Sequence, residues 1–373
     1  MELQTFINNN TDYLSKFRDL KLNTKKYGEL GLAIVTYKYN FNYDLNEYPF
    51  IKWCKGAIIN LKTSKIVCLS PVKSENKYDL SNIDLNNIDE YYSEKDSVLQ
   101  PLIDGTMINL FYHNDEWLMS TRSYIGAKNK WDQNISFKKM FDESKKNLNY
   151  DSLNKKHSYS FVLQHINNRI VSQISENNII LVEEYNFEDS ISIVNLDVTF
   201  DLKNYDTIIK IKNNNFNVLE DSMNKSYNFQ FKGFTLKNGP RRINFINSEY
   251  QKVLNIKSKC NFNNKLLSFI YLRNNNLLKD YLKYFDDDLQ LFDNYRNKIY
   301  IMKNELHDCY IKFFIKKEIE KKDIPFQLKP LVFELHNIYK QNKTKITNNV
   351  VNQYIYNLPE KRLCFVINYY ITS

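Results

Sequence analysis

Between residues 30 and 250 the apolar positions come in short runs separated by Asn- and Asp-rich turns. Residues 31–37, 107–112, 159–163 and 179–182 are rich in β-branched and aromatic side chains, which predicts strands. Residues 107–112 and 116–121, joined by His113-Asn114-Asp115, predict a hairpin. Phe137, Met140 and Phe141 recur at helical spacing and predict a helix over residues 136–145. From residue 262 onward the period changes. Leu289, Phe292, Ile299, Met302, Leu306, Tyr310 and Phe313 mostly step by three or four, predicting a long amphipathic helix. Pro325 and Pro330 punctuate a loop, and Leu331, Leu335 and Ile338 mark another helix. Residues 347–354 and 360–368 are further helical candidates, with Pro359 near the start of the last. The expected fold class is therefore α+β: antiparallel sheets over residues 1–255, then an all-α domain over residues 262–373.

A chain of 373 residues exceeds a single typical core, which fits two domains. With 43% hydrophobic and 15% aromatic residues it has ample material for packed cores, which excludes a disordered chain. The net charge of +9 favours phosphate-bearing partners without diagnosing one. Gly and Pro are scarce and Asn abundant, so the Asn-rich stretches at 213–215 and 274–276 are expected to be loops. The five cysteines are scattered with no C-x-x-C pair, which points to reduced thiols and away from zinc. The first residues lack the basic-then-apolar pattern of a signal peptide. No apolar run reaches the roughly 18–20 residues of a membrane span. The expected setting is intracellular and reducing, the host cytoplasm or a virion if the chain is viral, with no membrane partner.

Candidate chemistry gathers on Gln100-Pro101-Leu102-Ile103-Asp104-Gly105-Thr106. Asp-Gly-Thr is also ordinary turn chemistry, so its surroundings matter. Upstream stand Lys55-Gly56-Ala57-Ile58-Ile59-Asn60 and Pro71-Val72-Lys73; downstream, Ser120-Thr121-Arg122-Ser123 and Phe161-Val162-Leu163-Gln164-His165. Phe231-Lys232-Gly233-Phe234-Thr235-Leu236-Lys237 follows, then Arg242-Ile243-Asn244 and Asn247-Ser248-Glu249-Tyr250. In this order, over one domain's length, these segments resemble the motifs of the bacteriophage-type RNA ligases, covalent nucleotidyltransferases, in a divergent giant-virus branch. The resemblance implies a ligase-like nucleotidyltransferase domain in which a Lys-x-Asp-Gly lysine attacks the α-phosphate of ATP with Mg²⁺. It also implies that the helical C-terminal region helps select RNA; a purely structural bundle is the other reading.

The departures from that pattern share one direction. The nucleophile position holds Leu102, which has no lone pair to offer phosphorus. Lys55 stands for an arginine, Gln164 for a glutamate, Lys232 for a glutamate, and Asn244 for the second lysine of the fifth motif. The Pro71-to-Lys73 spacing is one residue short. Mg²⁺ wants oxygen ligands, which a lysine does not supply. No catalytic residue or metal ligand is therefore assigned. The nucleotide- or phosphate-binding candidates are Lys55, Lys73, Asp104, Gly105, Arg122, Gln164, Lys232, Lys237 and Arg242, with Arg241 beside them. Asp104 is read either as a turn-forming acid or as a remnant that oriented the ribose, and Arg122 as a phosphate contact or a solubilising charge. His165 is expected to be simply hydrogen-bonded, and His307-Asp308-Cys309 not to hold a metal. Three functions stay open. The leading one is a catalytically silent ligase homologue that binds RNA or RNA ends. The second is an active ligase using ATP and Mg²⁺ with Lys55, Lys73 or Lys232 as nucleophile. The third is a viral structural or interaction protein.

Overall fold

The computed structural model describes residues 1–38, 41–75, 97–130, 135–146, 148–194, 221, 223–260 and 264–371. Twelve strands fall among them: β1 (Asn23–Tyr27), β2 (Leu32–Thr36), β3 (Lys55–Asn60), β4 (Lys65–Cys68), β5 (Ser97–Pro101), β6 (Thr106–His113), β7 (Glu116–Ser120), β8 (His157–Gln164), β9 (Asn178–Asn186), β10 (Ser192–Val194), β11 (Gly233–Asn238) and β12 (Arg241–Ile246). They form antiparallel sheets in the orders β1-β2-β3-β4, β10-β9-β8-β6-β7 and β12-β11-β5. The predicted hairpin is β6–β7, and Asn114 and Asp115 at its tip take positive φ. The chain divides into two compact units, Met1–Leu254 and Asn255–Ser373. It is thus an α+β protein with antiparallel sheets and a helical C-terminal region.

Alternation explains why β2 reads as a continuous apolar run. Leu32 and Ile34 join Ile58, Cys68, Phe111 and Ile125 in one core cluster. Val35 instead joins Ala57, Ile59 and Ile66 under Leu3, Ile7 and Phe17. Both faces of the strand are buried, so both residue sets must be apolar. The second cluster rests on two helices that periodicity does not predict, Glu2–Asn8 and Tyr13–Asp19. The predicted helix at 136–145 is Phe137–Ser144; the Ser136 hydroxyl caps it by accepting from the Lys139 N–H. It lays Phe137, Met140 and Phe141 on the five-stranded sheet.

In the second unit the predicted long helix is Leu289–Tyr310, continued by a π-type turn over Ile311–Lys316. Phe292, Ile299, Met302 and Leu306 form its buried stripe, with Phe269 tilted against Phe292 at 5.3 Å and Tyr281 stacked on it at 5.7 Å. Helices Lys265–Asn274, Lys329–Asn342, Asn348–Tyr356 and Glu360–Ile371 pack around it. Glu334 receives two bonds from Arg362 and one from Tyr354, tying the last three together. Asn274 ends a helix while Asn275 and Asn276 turn; residues 213–215 lie outside the described residues. No helix among the described residues is long and apolar enough to cross a membrane.

Candidate functional site

Strand β5 delivers the Asp-Gly motif. Its register sets Gln100 opposite Thr235, and Thr235 lies opposite Asn244 on the far side of β11. The ladder continues one step past β5, where the Leu102 N–H donates to the Gly233 carbonyl at 2.8 Å. The leucine side chain therefore stands at the end of this strand, where the resemblance places an amine. On the same three-stranded sheet the Thr235 hydroxyl, the Asn244 amide oxygen and the Arg242 Nε are buried and have no hydrogen-bond partner among the described residues.

Asp104 is neither a simple turn acid nor an unoccupied carboxylate. Its Oδ2 accepts the Val171 and Ser172 N–H groups at 2.9 and 3.0 Å, and its Oδ1 accepts the Tyr250 hydroxyl at 2.5 Å. It clasps a loop and a helix residue to the motif. Gln164 caps the same turn, donating from Nε2 to the Asp104 carbonyl at 3.0 Å. Gly105 follows at φ +154°, and a Cβ there would meet the Leu163 carbonyl at 2.5 Å. Gly233 is tighter still, with an added Cβ 1.9 Å from the Phe245 carbonyl at φ +143°. Both positions bring backbone to backbone beside a site residue, which requires glycine.

Glu183 on β9 organises the basic residues of the last two motifs. It is 2% exposed and accepts Arg242 NH2 at 2.7 and 2.9 Å and Lys237 Nζ at 2.9 Å. Tyr185 Oη also donates to it. Burial pushes this carboxyl up, but Arg242 and Lys237 outweigh burial and hold it down at about 2. Arg241 is likewise engaged, with a two-pronged pair to Glu75 at 2.9 and 3.0 Å. Of the basic candidates, Lys237 and Arg242 are thus paired with Glu183, and Arg241 with Glu75. Their charges are already answered by protein carboxylates.

Other basic residues are held differently. Lys55 opens β3, and its amine makes no hydrogen bond or ion pair among the described residues. Burial, and then the charges of Arg242, Arg122 and Lys232, pull it down to about 8, with Glu183 offsetting part of the effect. Gly56 after it takes φ +103°, and a Cβ there would sit 2.6 Å from the Arg122 carbonyl. That close approach brings the Lys55 strand against Arg122. The Arg122 guanidinium donates to the Tyr37 carbonyl at 2.9 Å and lies 4.7 Å from the Tyr37 ring, which Lys73 also approaches at 5.7 Å. Lys232 is held loosely, 3.4 Å from the Ile103 carbonyl and 3.7 Å from Asp104 Oδ1. The structure thus brings Lys55, Arg122, Lys232 and Arg242 into electrostatic reach of one another. Lys73 joins them through Tyr37.

A magnesium ion does not fit these groups. Glu183 serves Arg242 and Lys237, Asp104 serves Tyr250 and two amides, and the Lys232 ammonium lies 3.7 Å from Asp104 Oδ1. Among the described residues no group of three His, Cys, Asp or Glu side chains could hold a metal. Both histidines singled out from sequence have partners: His165 Nε2 with Glu143 at 2.9 Å, and His307 Nε2 with the Ile346 carbonyl at 3.1 Å. All five cysteines are free and buried. Glu183 and Tyr37 escape sequence reading as site residues, and Tyr250 is read there only as part of a motif segment. The one signal for Glu183 was the surplus of basic residues on β11 and β12, which demanded a buried counter-ion.

No family model matches the chain. Over 123 residues, 32% of this chain, it is 28% identical to a protein named as a bifunctional polynucleotide kinase/RNA ligase of Autographa californica nuclear polyhedrosis virus. That match spans 17% of the viral protein's length. Among solved structures, one named as an ATP-dependent DNA ligase from Aquifex aeolicus superposes with a TM-score of 0.43 at 12% identity, over 77% of this chain and 80% of that one.

Proposed function

We propose that this chain is a ligase-like nucleotidyltransferase that has lost self-adenylation and uses its uncommitted lysines to bind the phosphates of RNA or of an RNA end. The observation that carries this reading is Leu102 at the end of β5, with Lys232 rather than a carboxylate beside Asp104. A leucine cannot form a phosphoramidate, and Lys232 supplies positive charge where a metal-binding acid would sit. The order of the motifs and the likeness to the viral kinase/ligase support the ligase origin. Phosphate binding rests on Lys55 and Lys73, which form no ion pair among the described residues, and on Lys232, held loosely at 3.7 Å from Asp104 Oδ1. The test is fluorescence anisotropy with a 5′-phosphorylated single-stranded RNA at several salt concentrations. The parent should bind in a salt-sensitive way, and Lys55→Gln with Lys73→Gln should weaken it at least tenfold. Equal binding by parent and double variant, or no binding by the parent, rejects the reading.

One observation favours a second reading, an active enzyme with a displaced nucleophile. The Lys55 amine, pulled down to about 8, is partly deprotonated near neutral pH. It would attack the α-phosphorus of a nucleoside triphosphate, forming an N–P bond, releasing a proton and expelling pyrophosphate. A covalent adduct lost in Lys55→Arg would establish that reading.

A further inference from the structure

Lys55 is placed by an irregularity in its own strand. It pairs with Thr36 where the register between β2 and β3 shifts, so that Gly56 bulges and breaks the strict alternation of side chains. Two residues earlier the Trp53 ring lies 6.2 Å from that of Tyr185, which is itself two positions from Glu183 on β9. The start of β3 is thereby fixed beside the Glu183 carboxylate and the Arg242 guanidinium that it holds. Alternation puts Thr235 on the sheet face of Lys237, and Asn244 on that of Arg242. Arg242 and Thr235 are more than nine-tenths buried, and the Arg242 Nε and Thr235 hydroxyl have no hydrogen-bond partner among the described residues.

This setting disfavours an ammonium. Burial opposes the Lys55 charge first, and Arg242, Arg122 and Lys232 add their repulsion. Glu183 favours the charge, but it also serves Arg242 and Lys237. A neutral amine removes the repulsion, and a group that carried a negative charge at the same place would turn it into attraction. Lysine can make that change because its nitrogen gains a lone pair on losing a proton; a guanidinium stays protonated and cannot.

The geometry points to Lys55 as a carbon dioxide site, its amine carried as a carbamate among Arg242, Arg122 and Lys232. The nitrogen lone pair forms an N–C bond to carbon dioxide, and one C=O π pair becomes a lone pair on a carboxylate oxygen. The N–H proton passes to water, so the side chain goes from a cation to an anion with no change of oxidation state. The product has two acceptor oxygens, and charge-assisted bonds from guanidinium groups are the kind that hold such an anion when buried. Acetylation or methylation of the same amine would give the cations no anion to hold. The inference goes beyond the proposed function, which uses Lys55 as a cation: carbamylated chains would have lost that phosphate contact.

The test equilibrates the full chain with isotope-labelled bicarbonate at a pH of about 8, where about half of this amine is neutral. Triethyloxonium then converts carbamates to stable ethyl esters, and the digested protein is sequenced by mass spectrometry. Lys55 should carry the labelled ester at about ten times the level of the exposed lysines, which stay almost wholly protonated. Lys232→Gln removes one of the surrounding cations and should lower that level about threefold. Lys55→Arg should abolish it, and both variants should melt like the parent. A carbon NMR line from the same label, distinct from bicarbonate and missing in Lys55→Arg, reads the parent without chemical trapping. Absence of both the ester and this line, an ester level no higher than at exposed lysines, or a level unmoved by Lys232→Gln overturns the inference. No nucleic acid enters the experiment, so its failure leaves the phosphate-binding reading standing, and failure of that reading leaves this one.

Discussion

The first unit holds two groups of cations in opposite ways. Lys237 and Arg242 converge on the buried Glu183 carboxylate and are finished as electrostatic objects. Lys55, Lys73 and Lys232 lie near them with a ring, a carbonyl or a distant carboxylate for company. All five are phosphate-binding candidates when the sequence alone is read. What separates them is a counter-ion more than fifty residues away along the chain from either Lys237 or Arg242, so a basic motif residue is available only if the fold has not already spent it. The first group builds the site, and the proposed function assigns binding to the second.

Breaking the closed group should give the largest effect. Glu183→Gln leaves two buried cations without their anion and should cost about 3–5 kcal/mol of stability in chemical denaturation; a loss below about 1 kcal/mol would show that the group is not closed. The same carboxyl sets an acid limit. Its folded value lies below the ordinary one, so its contribution is complete above roughly pH 4.5 and fades as pH falls through about 2. Lys237→Ala or Arg242→Ala, which the sequence alone would choose to test RNA binding, should instead destabilise the fold.

Breaking the open group should act on binding alone. Lys55→Gln should weaken phosphorylated RNA roughly tenfold, the scale of one charge-assisted contact, and leave the melting temperature unchanged. A sharper, smaller effect is in pH. Lys55 loses its charge as pH rises through about 8, so the affinity of the parent should fall severalfold between pH 7 and 9. Lys55→Arg stays charged and should flatten that dependence; an equal fall in both proteins would assign the titration elsewhere. Leu102→Lys should do least. It restores the amine but not the acid replaced by Lys232, and no nucleotide adduct should form.

Much of the architecture was legible because its signals are local. Short runs rich in β-branched and aromatic residues marked β6, β8 and β9, and the change to helical spacing marked the second region. The glycines after Lys55, Asp104 and Lys232 each prove to be forced by a backbone contact, so their place in the motifs carried real geometric information. Leu3 with Ile7, and Tyr13 with Phe17, step by four, but each helix is only seven residues long, too short for a periodicity window to register. The task of Asp104 was hidden for a different reason. Its partner Tyr250 is 146 residues away, and nothing local tells a turn acid from a clasp. Glu183 and Glu184 are adjacent on a strand, so alternation sends them to opposite faces without saying which turns inward. A register irregularity between Ser160 and Phe161 on the neighbouring strand shifts that pairing further from inspection.

The most direct test of the central claim is to incubate the full chain with each of the four nucleoside triphosphates and Mg²⁺, then weigh the intact protein by mass spectrometry under denaturing conditions. The account predicts an unchanged mass with every nucleotide. A nucleotide-sized increase, mapped to Lys55 or any other lysine, would contradict it and identify a working nucleotidyltransferase.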